Sequence, residues 1–137
     1  VATGTTVIPF DESIPQNTEG TEFMTLAITP TDANNILCIE IVLHASSSVA
    51  NYWTSIGLFQ DSIADAIAAS AEFNTTATAL NVASFSHTMV AGTTSPTTFK
   101  VRAGPNAAGT MTFNGQSAAR RFGGVMASSI TITEYTP

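Results

Sequence analysis

Apolar and polar residues alternate with a period of two over most of the chain, and turn residues separate the alternating stretches. This period is typical of β-strands with one face in a core, because successive side chains of a strand point to opposite sides. No stretch of ordinary helix length shows an amphipathic helical pattern, and there is no internal repeat. The chain is therefore predicted to be all-β, with about eight to ten antiparallel strands in a two-sheet sandwich.

The alternation and the turn residues together predict where the strands begin and end. Pro9 marks an edge or a bulge, since proline has no N–H to donate. The stretch Asp61–Ala71 fits a helical turn or a hairpin turn before a strand, and the hairpin is favoured because its surroundings are β. Residues 116–124 are predicted to form a polar connection. Strands are expected at residues 5–10, 22–29, 36–45, 52–60, 66–73, 79–90, 98–103, 110–113 and 128–135.

The strand at Ile36–Ala45 is the most regular one and has two different faces. One face is purely aliphatic and suits the core, whereas the other is too apolar for a fully wet surface. Either a loop of the same chain or a partner chain is expected to cover this second face. The residues predicted at such a subunit interface are Cys38, Glu40, Val42, His44 and Tyr135.

The charge content narrows the choice of partners. Charged residues make up 10% of the chain, whereas Thr occurs 22 times and Ser 13 times. With a net charge of −6 and four basic residues, the chain offers no basic stripe for nucleic acid. No apolar run approaches the roughly 20 residues that span a bilayer, so membrane insertion is not expected. Low charge also leaves little repulsion between copies.

The length of 137 residues fits one domain over the whole chain. Cys38 is the only cysteine, so stability must come from packing or assembly, which fits folding in a reducing cytoplasm. The chain begins at Val1 without Met, so it is expected to be a piece of a longer protein.

Three stretches carry a family resemblance: VATGTTVIPFDESIPQNTEG at the start, AGTTSPTTFKVRAG in the middle and FNGQSAARRFGGVMASSITITEY near the end. The chain resembles the C-terminal jelly-roll domain, of tumour-necrosis-factor or complement type, in tail-fibre and related virion proteins of bacteriophages and prophages. The resemblance implies a homotrimer on a fibre shaft, located on an exposed appendage of a virion made in the host cytoplasm. It also implies recognition of a glycan or protein on the host surface.

Other interpretations stay open beside this one. From the strand pattern alone, an immunoglobulin-like sandwich is nearly as well supported as a jelly roll. A structural virion component, such as a head decoration or a trimerisation cap, would need no ligand. A third possibility is a non-viral carbohydrate-binding or cell-surface β-sandwich.

No arrangement of residues predicts an enzyme, a metal site or a cofactor. His44 and His87 lack the close spacing of metal ligands, although a three-fold axis could bring three copies of one histidine around an ion. A cysteine within an aliphatic strand is usually a small buried hydrophobe. Carboxylate pairs that could serve in glycoside hydrolysis are better explained as turn residues. These pairs are Asp11 with Glu12, Glu19 with Glu22, and Asp61 with Asp65.

Two groups of residues are candidates for ligand binding. Tyr52 and Trp53, with Asn51 before them, could stack on a sugar face, although a core or subunit contact is the favoured explanation. Arg120 and Arg121 could bind an acidic glycan or pair with carboxylates of a neighbouring chain.

Overall fold

The computed structural model describes all residues from Val1 to Pro137 and shows two antiparallel sheets packed face to face. The predicted all-β sandwich is confirmed. A short 3₁₀ turn at Phe122–Gly124 precedes the last strand. The strands are β1 (Ala2–Gly4), β2 (Thr21–Ile28), β3 (Ile36–Ser47), β4 (Tyr52–Gln60), β5 (Ala68–Asn74), β6 (Leu80–Val90), β7 (Thr97–Pro105), β8 (Met111–Phe113), β9 (Gly115–Gln116), β10 (Ala119–Arg120) and β11 (Ser129–Tyr135).

The strand order is that of a jelly roll. In the sheet that we call the front sheet, β3 is central and pairs with β6 along one side. On its other side β3 pairs with β11 and then with β8, and β1 lies beyond β8. The second sheet, called the back sheet, has the order β2-β7-β4-β5. The small hairpin of β9 and β10 extends neither sheet, but it lies against the front sheet, where Ser46 Oγ of β3 donates to Gly115 O at 3.1 Å.

The hydrophobic core fills the space between the two sheets. The aliphatic face of β3 is fully buried, with Leu37, Ile39, Ile41 and Leu43 each at most 1% exposed, as predicted. The back sheet contributes the inward side chains that belong to the same cluster, Ile56, Leu58, Phe99, Val101 and Ala103. Burial of such side chains contributes about 1.5–3 kcal/mol each, so this layer supplies most of the stability.

The predicted strand at residues 5–10 is wrong. The first strand is Ala2–Gly4, and residues 5–20, which we call the cover segment, run across the outward face of the back sheet. Pro9 has no N–H to donate. The cover segment therefore forms isolated backbone hydrogen bonds and not the continuous ladder of a strand. Ile8 N donates to Pro105 O at 3.2 Å, and Gly20 N donates to Val7 O at 2.9 Å.

A glycine lets the cover segment lie close to the back sheet. A Cβ atom at Gly104 would lie 2.4 Å from the carbonyl oxygen of Thr6 and 3.0 Å from Ile8 N. Any larger residue in β7 at this position would therefore push the segment away from the sheet.

The hairpin predicted after β4 is confirmed, since β5 pairs antiparallel with β4. Asp61 starts the turn with a φ of 51°, and its carboxylate accepts hydrogen bonds from Thr98 N at 2.7 Å and Thr97 Oγ1 at 2.9 Å. The predicted polar connection at residues 116–124 includes most of the small hairpin, which begins at Gly115, and the 3₁₀ turn. No helix has the length and apolar character needed to cross a bilayer.

Candidate functional site

The outward face of the back sheet is covered by the chain itself. Ile8 of the cover segment is 0% exposed, and Phe59, on the outward side of β4, is 1% exposed. Phe10 stacks on Trp53 with ring centroids 4.1 Å apart and planes 11° from parallel. The cover segment therefore forms a third layer on this side of the sandwich.

The outward face of the front sheet has no such cover. The strand register places one row of side chains from each of β6, β3 and β11 side by side on this surface, which we call the bare face. Its rows are Val82, Ser84, Ser86, Thr88 and Val90 on β6; Ile36, Cys38, Glu40, Val42 and His44 on β3; and Ser129, Thr131, Thr133 and Tyr135 on β11.

The bare face combines exposed apolar side chains with little charge. Val82, Val90 and Tyr135 are each 54% exposed. Serine and threonine line much of the rest, Glu40 is the one acidic residue, and no lysine or arginine lies in the three rows. Val82 and Val90 lie at opposite ends of β6, with Ser84, Ser86 and Thr88 between them, so the exposed apolar side chains are spread over the face.

All five residues predicted at a subunit interface lie on the bare face: Cys38, Glu40, Val42, His44 and Tyr135. Glu40 and Tyr135 remain exposed, so no loop of the same chain covers this face. The alternative of a cover by such a loop is therefore wrong. Between β3 and β6 the face has a shallow depression of about 350 Å³, where Ser84 and Ser86 stand beside Glu40 and Val42. Small β6 side chains therefore leave room for a side chain from outside.

The aromatic residues predicted to bind a ligand occupy different environments. Tyr52 is 0% exposed, so it cannot present its ring to a sugar. Trp53 lies between Phe10 and Phe73, whose ring centroids are 4.1 Å and 5.1 Å from its own. Asn51 is an exposed turn residue with a φ of 52°. The sequence reasoning missed Phe10, which is 53% exposed, because Phe10 comes next to this cluster only through the cover segment.

The paired arginines do not act as a pair. Arg121 donates from Nη2 and Nε to Gln116 Oε1, at 3.0 Å and 3.2 Å. Arg120 is exposed in the small hairpin. Any recognition of an acidic group at this place would therefore depend mainly on Arg120.

The carboxylates that could have formed a catalytic pair hold loops instead. Asp65 Oδ1 accepts from Gln16 Nε2 at 2.9 Å, and Glu19 Oε2 accepts from Gln16 N at 2.9 Å. Glu22 lies 3.5 Å from Arg102, whose other nitrogens donate to backbone carbonyls of the cover segment. These contacts are structural, and no cleft brings two carboxylates to face each other.

The two histidines lie on opposite faces of the front sheet. His44 is on the bare face, whereas His87 stands opposite Ile39 on the inward side. No group of three His, Cys, Asp or Glu side chains could hold a metal ion within one chain. The expectation that the protein needs no cofactor stays a prediction.

A cluster around Glu134 also escaped the sequence reasoning. Its Oε1 accepts hydrogen bonds from Asn35 Nδ2 at 2.7 Å, Thr31 N at 2.7 Å and Thr31 Oγ1 at 2.8 Å. These bonds, mainly those from the Asn35 and Thr31 side chains, lower the pKa of the Glu134 carboxyl below its ordinary value. The cluster ties the end of β11 to the loop before β3. Because the partners are about a hundred positions apart, no local sequence signal indicates it.

The strand order, the buried layer between the sheets and the bare face define a jelly-roll sandwich of the tumour-necrosis-factor-like class. The family model described as Pgp3 C-terminal domain matches residues 8–137, and the chain belongs to this family. A search of curated proteins gives no match.

The family overturns the virus-related expectations. Pgp3 is a chlamydial plasmid virulence protein, so the assignment to bacteriophage tail-fibre domains is wrong. The predicted fibre-tip function and the predicted location on a virion are wrong for the same reason. The quoted stretches reflect Gly-, Ser- and Thr-rich turns and alternating strands, which unrelated jelly rolls share. The alternative of a non-viral β-sandwich agrees better with the family.

Proposed function

We propose that this domain is a non-catalytic assembly module whose copies pack their bare faces against one another and present their covered sides outward. The observation that carries the proposal is the contrast between the two outward faces. The chain uses sixteen residues to cover one sheet and leaves the other, with Val82, Val90 and Tyr135 half exposed, without a cover.

The chemistry of the bare face suits a second copy of the same chain. Burial of a charged side chain costs several kcal/mol unless the charge is paired, and Glu40 is the only residue of the three rows that carries a full negative charge. Valine, threonine and serine side chains can pack closely at a small cost. The depression between β3 and β6 offers a place for a protruding side chain of the neighbouring copy.

We expect three copies, as in the tumour-necrosis-factor-like jelly rolls to which the topology corresponds. In a closed ring of identical subunits, every subunit has its contact surface buried against a neighbour. In such a ring the back sheets and their cover segments point away from the axis, because they lie on the other side of each sandwich. Any ligand-binding surface would then be displayed in several copies.

The absence of catalysis is also part of the proposal. The carboxylates are engaged in loop contacts, and no nucleophile lies beside a base in a cleft. The protein would therefore act through binding and assembly.

The double change Val82→Glu with Val90→Glu tests the proposal, because both side chains are 54% exposed and the isolated chain tolerates polar residues there. The new charges would be buried on assembly, which weakens association by about 3 kcal/mol or more, or over a hundredfold in the dissociation constant. Sedimentation velocity of the variant should show a species of 14.2 kDa.

A matched control has the same kind of change on the other side of the molecule. Ile14→Glu with Ile63→Glu alters side chains that are 54% and 49% exposed, away from the bare face. This control should keep the wild-type sedimentation coefficient. If both double variants sediment like the wild type, the bare face is not the assembly surface.

A further inference from the structure

A groove of about 300 Å³ lies between the cover segment and the outward face of β4 and β5. Its floor consists of small residues, Ser55 on β4 and Ala69 and Ala71 on β5. Phe10, Asp11 and Ser13 of the cover segment line it from above. The groove exists because small floor residues lie where the cover segment passes over the sheet, so no side chain fills the gap.

The upper side of the groove is held in place at both ends. Ile8 N donates to Pro105 O at one end, and at the other end Ala66 N donates to Pro15 O at 2.9 Å. Between these points, Asp11 Oδ1 accepts a hydrogen bond from Ser13 N at 2.8 Å, which fixes a turn. Two prolines, Pro9 and Pro15, restrict the backbone further. The groove is therefore preformed, as ligand-binding clefts usually are.

A buried polar atom in the floor has no partner within the chain. Ser55 is 5% exposed, and its Oγ forms no hydrogen bond. Buried hydroxyl groups are nearly always hydrogen-bonded, because a lost hydrogen bond costs about 1–3 kcal/mol. Ser55 lines the groove, but its Oγ is closed to solvent in this conformation, so a change of the χ1 rotamer would be needed to present the hydroxyl to a polar group that enters the groove.

Other features of the groove indicate the class of the ligand. Phe10 is 53% exposed and has one ring face against Trp53, so its remaining exposed area is available for stacking. Asp11 accepts hydrogen bonds from Ser13 through Oδ1 and keeps its second carboxylate oxygen free, and the bonds from Ser13 lower the pKa of this carboxyl. An aromatic face beside a carboxylate and hydroxyl groups suits a ligand with an apolar ring face and several hydroxyls.

We propose that this groove binds a neutral pyranose sugar, stacked on Phe10 and hydrogen-bonded to Asp11 and Ser55. The bare-face assembly is not needed for this site, which lies on the opposite side of the sandwich. In an assembled protein, however, several identical grooves would point outward, and their combined binding would exceed that of one site.

Trp53 gives a direct readout, since it is the only tryptophan and stacks on Phe10. The full chain is titrated with methyl α-glucoside, methyl β-galactoside and N-acetylglucosamine, and tryptophan fluorescence is measured beside saturation-transfer NMR. At least one sugar should bind with a dissociation constant of about 1 mM, the range expected of a shallow single site. No binding of any of the three would overturn the proposal.

Two variants test whether binding takes place in the groove. Phe10→Ala removes the stacking surface and should weaken binding at least tenfold, as judged by NMR. Ala69→Leu fills the groove from an exposed position without opening the core, and it should abolish binding while leaving the unfolding midpoint near the wild-type value. Unchanged affinity in a folded Ala69→Leu protein would place the sugar elsewhere.

Phe122→Ala is the matched control, because Phe122 is 77% exposed and lies outside the groove. It should bind like the wild type, and a loss equal to that of Phe10→Ala would mean that the effect is not local. The same titration with the Val82→Glu and Val90→Glu variant separates this proposal from the assembly proposal. If this variant binds the sugar, the groove proposal is supported, whatever the oligomeric state of the variant.

Discussion

Both the front and the back sheet contribute side chains to the core, but the chain covers the outer face of the back sheet and leaves that of the front sheet open. The back sheet has Ile8 and Phe59 sealed under the cover segment, whereas the front sheet leaves Val82, Val90 and Tyr135 half exposed. An apolar surface is stabilised only when something removes it from water. The chain therefore covers one sheet itself and leaves the other open, and this open face is the surface that we propose for assembly.

The covered side should respond most strongly to mutation. Ile8→Ala removes a fully buried side chain from under the cover segment, and we expect it to cost about 3 kcal/mol in the free energy of unfolding. Ile14→Ala is the matched change in the same segment, at a side chain that is 54% exposed, and it should cost less than about 0.5 kcal/mol. Urea unfolding of both proteins measures the difference. Equal effects would mean that the segment does not seal the sheet.

The bare side contains a natural probe, Cys38, which lies in the middle row of that face and forms no disulfide. If copies cover this face, alkylation of Cys38 by N-ethylmaleimide should be slow in the wild type. It should be several-fold faster in the Val82→Glu and Val90→Glu variant, where the face is open. Mass spectrometry of timed samples gives the two rates, and identical rates would argue against a shared interface around β3.

The smallest expected effect is the pH dependence that Glu134 gives to the front sheet. Hydrogen bonds from Asn35 and Thr31 favour the ionised carboxyl, so its pKa is lower in the folded than in the unfolded protein. The stabilisation is therefore present above the unfolded pKa and is lost as the pH falls through the folded one. Glu134→Gln should flatten the decline of the melting temperature below about pH 4.5. An unchanged acid slope would show that the cluster adds nothing to stability.

Features that depend on neighbouring residues could be predicted from the sequence. The buried row of β3 follows from alternation, which is local, and the hairpin at Asp61 follows from turn chemistry. The strand at 52–60 was also predicted, although it is buried on both faces and does not alternate. The predicted interface residues of β3 lie together for the same reason, because alternate residues of a strand point to the same side of the sheet.

Features that depend on distant contacts could not be predicted. Residues 5–10 of the cover segment were predicted to form a strand, but the position of this segment depends on the space above Gly104 in the back sheet. The bonds between Asn35 and Glu134 span 99 positions. The ligand groove likewise needs residues near 10, 55 and 70 to meet. The family could not be inferred from turn composition, because that composition follows from the fold class and is shared by unrelated proteins.

Assembly through the bare face is tested most directly by the mass of the wild-type chain in solution, measured by multi-angle light scattering at micromolar concentration. Assembly of three copies through the bare face would give a mass three times that of the 14.2 kDa chain. A mass of 14.2 kDa over the whole concentration range would contradict it, because the bare face would then remain in water without a partner.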